Sequence, residues 1–72
     1  MTSRETRMNR AERQIRDQDL AAKNRREYYL VGAAELATQL GITLDEADQV
    51  IDDLVGRGIL RRKTAAGYEL AG

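Results

Sequence analysis

The stretch from Gly32 to Tyr68, GAAELATQLGITLDEADQVIDDLVGRGILRRKTAAGY, decides the fold. Within it, Ala34, Leu36, Ala37 and Leu40 recur at helical spacing, and Gly41 stands where a left-handed residue ends a helix. Thr43 followed three residues later by Glu46 is a capping box, in which each side chain satisfies an orphan backbone N–H at a helix start. A second helix therefore begins at Leu44. Its apolar positions Ala47, Val50, Ile51, Leu54 and Val55 follow the 3.6-residue period until Gly56 and Gly58 end it. Only Gly41, Ile42 and Thr43 separate the two helices, so they are joined by a tight turn. Ile59 and Leu60 open an extended run, and Tyr68-Glu69-Leu70 alternates apolar and polar as a second short strand.

Working outward, Tyr28-Tyr29-Leu30-Val31 is β-favouring and stands just before Gly32. Both tyrosines read as core or edge packing rather than base-stacking groups, because isolated aromatics without a positive groove are weak signals of single-strand binding. The residues from about Asp19 to Tyr29 read as the first helix of the core, with Leu20, Ala21 and Tyr28 facing inward and Ala22 a further candidate. The expected core is Leu20, Tyr28, Leu30, Leu36, Ala37, Leu40, Ile42, Ala47, Val50, Ile51, Leu54, Ile59, Leu60 and Leu70. Residues 1–18 then form a basic arm or helical extension ahead of a domain over residues 19–72. Glu12 with Arg16 and Asp19 with Lys23 are acid-before-base pairs at i, i+4 that favour helix there. Met8, Ile15, Ala22 and Tyr29 recur every seventh residue, with Ala11 at the d position, but Gln18 and Arg25 interrupt that seam. Two readings stay open: a solvated extension, or an arm that contacts phosphates or pairs with another copy.

The order LAxxLGI, a capped helix, LxxxGIL, basic residues and GYxL resembles a winged helix-turn-helix domain of small prokaryotic transcription regulators. The resemblance covers about Leu30 to Leu70. It implies an α+β, mainly helical fold: a helix, a short strand, the helix-turn-helix and a two-stranded wing. It also implies that the second helix of the motif is the recognition helix, facing a groove with Leu44, Asp45, Asp48, Gln49 and Asp52, while Thr38 and Gln39 on the helix before it touch the backbone.

Composition limits the function classes. A chain of 72 residues holds one small core, which is marginally stable without a disulfide, metal or partner. There is no Cys and no His, so disulfides, thiolate zinc sites and most general-base schemes are removed. No spacing sets a nucleophile beside a base held by a third group, and an enzyme is not expected. No cofactor or metal is expected. No apolar run approaches the ~20 residues that cross a bilayer, and no signal-peptide core is visible, so the expected compartment is the cytoplasm.

The net charge of zero conceals segregation. Residues 1–30 carry eight basic and five acidic residues, 31–56 six acidic and none basic, and 57–63 four basic and none acidic. Arg4, Arg7, Arg10, Arg13 and Arg16 recur every third residue, which drifts around a helix by about 60° per step and gives no single face. Asp45, Asp48 and Asp52 form one acidic stripe on the nominal recognition helix, whereas Asp53 has Arg57 four residues on. DNA attracts through cations that replace its counterions, so that stripe opposes deep insertion. Three resolutions are open. Binding could pass through the cluster Arg57, Arg61, Arg62 and Lys63 beside the turn from Thr64 to Gly67, together with the arm. The acidic helix could dock on a basic protein. The arginine arm of the same chain or of a mate could cover the stripe. A basic hairpin also keeps an edge strand unpaired, which is the bland explanation of the cluster.

The expected function is that of a small DNA-binding regulator of transcription or replication, acting as a homodimer on double-stranded DNA. Its expected contacts are Arg57, Arg61, Arg62, Lys63 and Thr64 at the wing, Thr43 and Gln49 at the recognition helix, and Arg4, Arg7, Arg10, Arg13 and Arg16 on the arm. The alternative is a protein-interaction adaptor that docks through Asp45, Asp48 and Asp52. RNA binding through the arm is a third.

Overall fold

Ser3 opens the first helix by accepting a hydrogen bond from the Thr6 N–H at 3.1 Å, and α1 then runs unbroken from Arg4 to Asn24. The computed structural model describes residues 3–65 and 67–71, as three helices and one two-stranded antiparallel sheet, a small and mostly helical α+β fold. Met1 and Thr2 of the expected arm and Ala66 of the expected turn lie outside the described residues.

The first helix of the core starts near residue 4 and not near Asp19. Met8, Ala11, Ile15 and Ala22, the thin seven-residue stripe of the sequence, are its buried positions, and the first three join the main core cluster. The section expected as a solvated extension is therefore packed. Leu20 and Tyr28, both expected inside, are 61% and 73% exposed. Leu20 follows Ile15 by five positions, which turns it about 140° away from the buried face. Tyr28 lies beyond the helix, which ends in a Schellman turn: the Glu27 N–H donates to the Ala22 carbonyl at 2.8 Å and that of Arg26 to Lys23 at 3.0 Å. Arg26 there holds φ 58°, a left-handed conformation more often taken by glycine.

The remaining helices follow the caps read from the sequence. Helix α2 spans Ala33–Leu40 and ends at Gly41 with φ 66°. Helix α3 spans Leu44–Gly56 behind the complete Thr43/Glu46 capping box, whose two bonds measure 3.0 and 3.1 Å. It ends in a second Schellman turn, where Gly58 takes φ 75° and the Ile59 N–H returns to the Leu54 carbonyl at 2.9 Å. Ala47, Val50, Ile51 and Leu54 of α3 close on Leu36 of α2 and on the α1 stripe, with Val31 and Leu60 completing the buried cluster. Ala37, Leu40, Ile42, Ile59 and Leu70 pack around it half-buried.

Strands β1 (Leu60–Thr64) and β2 (Gly67–Leu70) pair antiparallel with Leu60 opposite Leu70 and Arg62 opposite Tyr68. The register shifts between Arg62 and Thr64, which makes Lys63 the extra residue of a bulge. The β-favouring run before Gly32 contributes a single bridge, in which Val31 exchanges two backbone hydrogen bonds with Tyr68 at 2.7 and 3.0 Å. That bridge fixes Gly67. A Cβ there would lie 2.8 Å from the Val31 carbonyl oxygen and 3.1 Å from the Leu30 Cβ, and backbone cannot swing aside as a flexible side chain does. Gly67→Ala is expected to cost about 1 to 3 kcal/mol, read as a lower denaturation midpoint. An unchanged midpoint would mean that the hairpin can move off Val31 freely.

Candidate nucleic-acid interface

Two arginines of α1 are engaged with α3. Arg4 forks onto Asp53, donating from Nε at 2.8 Å and from a terminal nitrogen at 2.7 Å, and Arg7 reaches Glu46 at 3.0 Å. Glu46 thereby serves two partners, with one oxygen on the Thr43 N–H of the cap and the other on Arg7. Asp53, paired with Arg57 in the sequence reading, accepts from Arg4 instead, while the Arg57 charge acts on it only through space. The masking reading is met only on the flank of α3. Asp45, Asp48 and Asp52 are exposed, and among the described residues none of them forms a salt bridge. Gln49 and Thr43 are exposed beside them, and the Thr43 hydroxyl is committed to the cap.

The other arm arginines spread around the helix, as their three-residue spacing requires. Arg16 pairs with Glu12 at 2.9 Å, while Arg10 and Arg13 are exposed without an ion partner among the described residues. Thr38 and Gln39 are exposed and bond within α2 itself, with Thr38 Oγ1 donating to the Ala34 carbonyl and Gln39 Nε2 to Glu35.

On the hairpin, Arg61 is held by Glu69 at 2.6 Å and Glu69 also accepts from the Tyr28 hydroxyl at 3.3 Å. Arg62 lies over the Tyr68 ring at 5.9 Å from its centroid, and Lys63 over the Tyr28 ring at 5.8 Å, both within cation–π range. Arg57, Arg62 and Lys63 are exposed, and among the described residues none has a carboxylate within salt-bridge distance. Thr64 is exposed at the end of β1. The structure thus places together Arg62, Lys63, Thr64 and the paired Arg61, whereas Arg4 and Arg7 are paired with carboxylates of α3.

Sequence reasoning missed Glu69 and the hydroxyl of Tyr28 as the groups that brace the hairpin. These residues are 41 positions apart, and no local pattern announces their meeting. Among the described residues no group of carboxylates is arranged to hold a metal ion, and no helix is long and apolar enough to cross a membrane. Comparison with protein-family models, with curated proteins and with solved structures found no match to the chain.

Three carboxyls are held below their ordinary values. For Asp53 the main cause is the Arg4 hydrogen bond, for Glu46 the bonds with the Thr43 backbone and hydroxyl, and for Glu69 the Arg61 hydrogen bond. A carboxyl depressed in the folded state contributes stability above its unfolded pKa and loses it as pH falls through the folded one. The melting temperature should therefore hold above pH 4.5, the ordinary glutamate value, and decline as acid protonates the three groups. Arg4→Ala should lower it at neutral pH and make the acid-side decline shallower. A melting profile identical to the parent's at every pH would show that the Arg4–Asp53 fork contributes nothing.

Proposed function

We propose that this protein is a small winged-helix-type DNA-binding regulator that meets duplex DNA with its hairpin. The observation that carries the reading is the set of exposed cations Arg57, Arg62 and Lys63 around the hairpin, none with a carboxylate partner among the described residues, set against the exposed acidic stripe on α3. A cation released from internal pairing can replace a DNA counterion, whereas Asp45, Asp48 and Asp52 repel phosphates. The helix that the winged helix-turn-helix resemblance would send into the major groove is accordingly turned away from the duplex. Arg10 and Arg13 are the arm residues that add contacts, since they hold no carboxylate among the described residues whereas Arg4, Arg7 and Arg16 do. The test is duplex binding in a salt series, with cations of the hairpin removed.

A second reading has its own observation. Leu44 is 53% and Val55 40% exposed, at either end of the helix that carries the unpaired aspartates. Apolar ends around an acidic centre suit docking on a basic protein surface, and the same helix would then hold the partner while the hairpin holds DNA.

A further inference from the structure

Tyr28 is 73% exposed, yet it is held in place. Its hydroxyl donates to Glu69 at 3.3 Å, Glu69 is fixed by Arg61, and Lys63 at the hairpin bulge stands 5.8 Å from the ring centroid. Even with that cation in place the residue as a whole stays largely open to solvent. An aromatic ring presented to water in a fixed orientation meets much of the ordering cost of stacking before any ligand arrives. Beside it runs a groove of about 490 Å³ between the end of α1 and the end of β2, with Leu20, Tyr29 and Leu70 among its lining. The carboxylates around this groove are matched by cations, Asp19 by Lys23, Glu27 by Arg25 and Glu69 by Arg61. Arg16, also in the lining, is held by Glu12, whereas Lys63, which stands over the Tyr28 ring outside the lining, makes no salt bridge among the described residues.

We infer that this groove is a stacking site for an unpaired nucleobase, with Tyr28 as the platform and Lys63 as the contact for the adjoining phosphate. Base–aromatic stacking tolerates any base because every base has a π face, and a cation over the other face of the ring lies within reach of the backbone of the same strand. The groove carboxylates, already paired, can still accept hydrogen bonds from a base amine. An extended apolar peptide would gain nothing from a cation held over the ring. The inference rests on the duplex reading for the direction from which the strand arrives: the hairpin cations grip the duplex, and a single-stranded end running off it reaches Tyr28.

Fluorescence anisotropy with a blunt duplex and the same duplex carrying a single-stranded overhang tests it. The overhung duplex should bind about tenfold tighter, the scale of one stacked base. Tyr28→Ala should erase that preference, the ratio of overhung to blunt affinity falling to one whatever it costs the hairpin braced through Glu69, and Tyr28→Phe, which loses the hydroxyl but keeps the ring, should retain it. Equal affinity for the two probes, or a preference that survives Tyr28→Ala, would overturn the inference. A different pattern, Tyr28-dependent capture of the overhung probe with no binding of the blunt one, would overturn the duplex reading and leave this site standing.

Discussion

Ile15→Ala is expected to leave the protein largely unfolded in physiological buffer, while Leu20→Ala on the same helix is expected to be nearly neutral. Ile15 is fully buried and belongs to the main core cluster, whereas Leu20 is 61% exposed. Removing a buried Ile side chain costs about 2 to 5 kcal/mol, the transfer of its atoms plus the cavity they leave. A core of this size supplies only about 3 to 5 kcal/mol in total. The two numbers are comparable, so one truncation in α1 consumes most of the margin. Urea titration of both variants checks this, with the midpoint of Ile15→Ala far below that of the parent and that of Leu20→Ala close to it. Equal losses would mean that α1 does not pack through its Met8, Ala11 and Ile15 face. The result also bears on truncation: removing residues 1–16 would delete three core side chains along with the arginines, so that deletion reads out folding before it reads out binding.

The same pair of residues marks how far the sequence is legible. Caps are local, and Thr43 with Glu46, Gly41 and Gly58 announce the ends of α2 and α3 within a few residues of the groups they satisfy. The apolar period of α3 is equally local, and Ala47, Val50, Ile51 and Leu54 are buried as that period requires. The stripe of Met8, Ala11, Ile15 and Ala22 was visible too, but a seven-residue recurrence does not say whether the surface it faces is another copy or the same chain's core. Apolar character alone puts Leu20 and Tyr28 inside, and it is outvoted by the angle of a residue around its helix and by where the helix stops. In the candidate interface the limit is sequence distance. The basic hairpin cluster is contiguous and easily seen, whereas the Arg4–Asp53 fork joins residues 49 positions apart and decides which arginines are left for a ligand.

For the interface itself, Arg62→Ala combined with Lys63→Ala is expected to flatten the salt dependence of duplex binding by about two units of slope, because each phosphate contact adds about 0.9 to it. Arg61→Ala should change the slope less than either, since its guanidinium is held on Glu69 at 2.6 Å and is not free to replace a counterion without breaking that bond. The decisive companion is Asp48→Asn with Asp52→Asn. If α3 is turned away from the duplex, beyond about one Debye length, roughly 8 Å at physiological salt, the two charges are screened and affinity should change little. Were α3 seated in the major groove, neutralising two carboxylates against the phosphates would raise affinity by an order of magnitude or more and alter the slope, and that outcome would reverse the proposed orientation. The adaptor reading makes the opposite use of the same positions: Asp48→Lys with Asp52→Lys should abolish capture of a basic partner while the melting temperature holds, because both side chains are exposed and neither forms a salt bridge among the described residues. Hairpin and helix thus predict separable losses, one in salt slope and one in partner capture, because their charges have opposite signs and the fold keeps them on different elements.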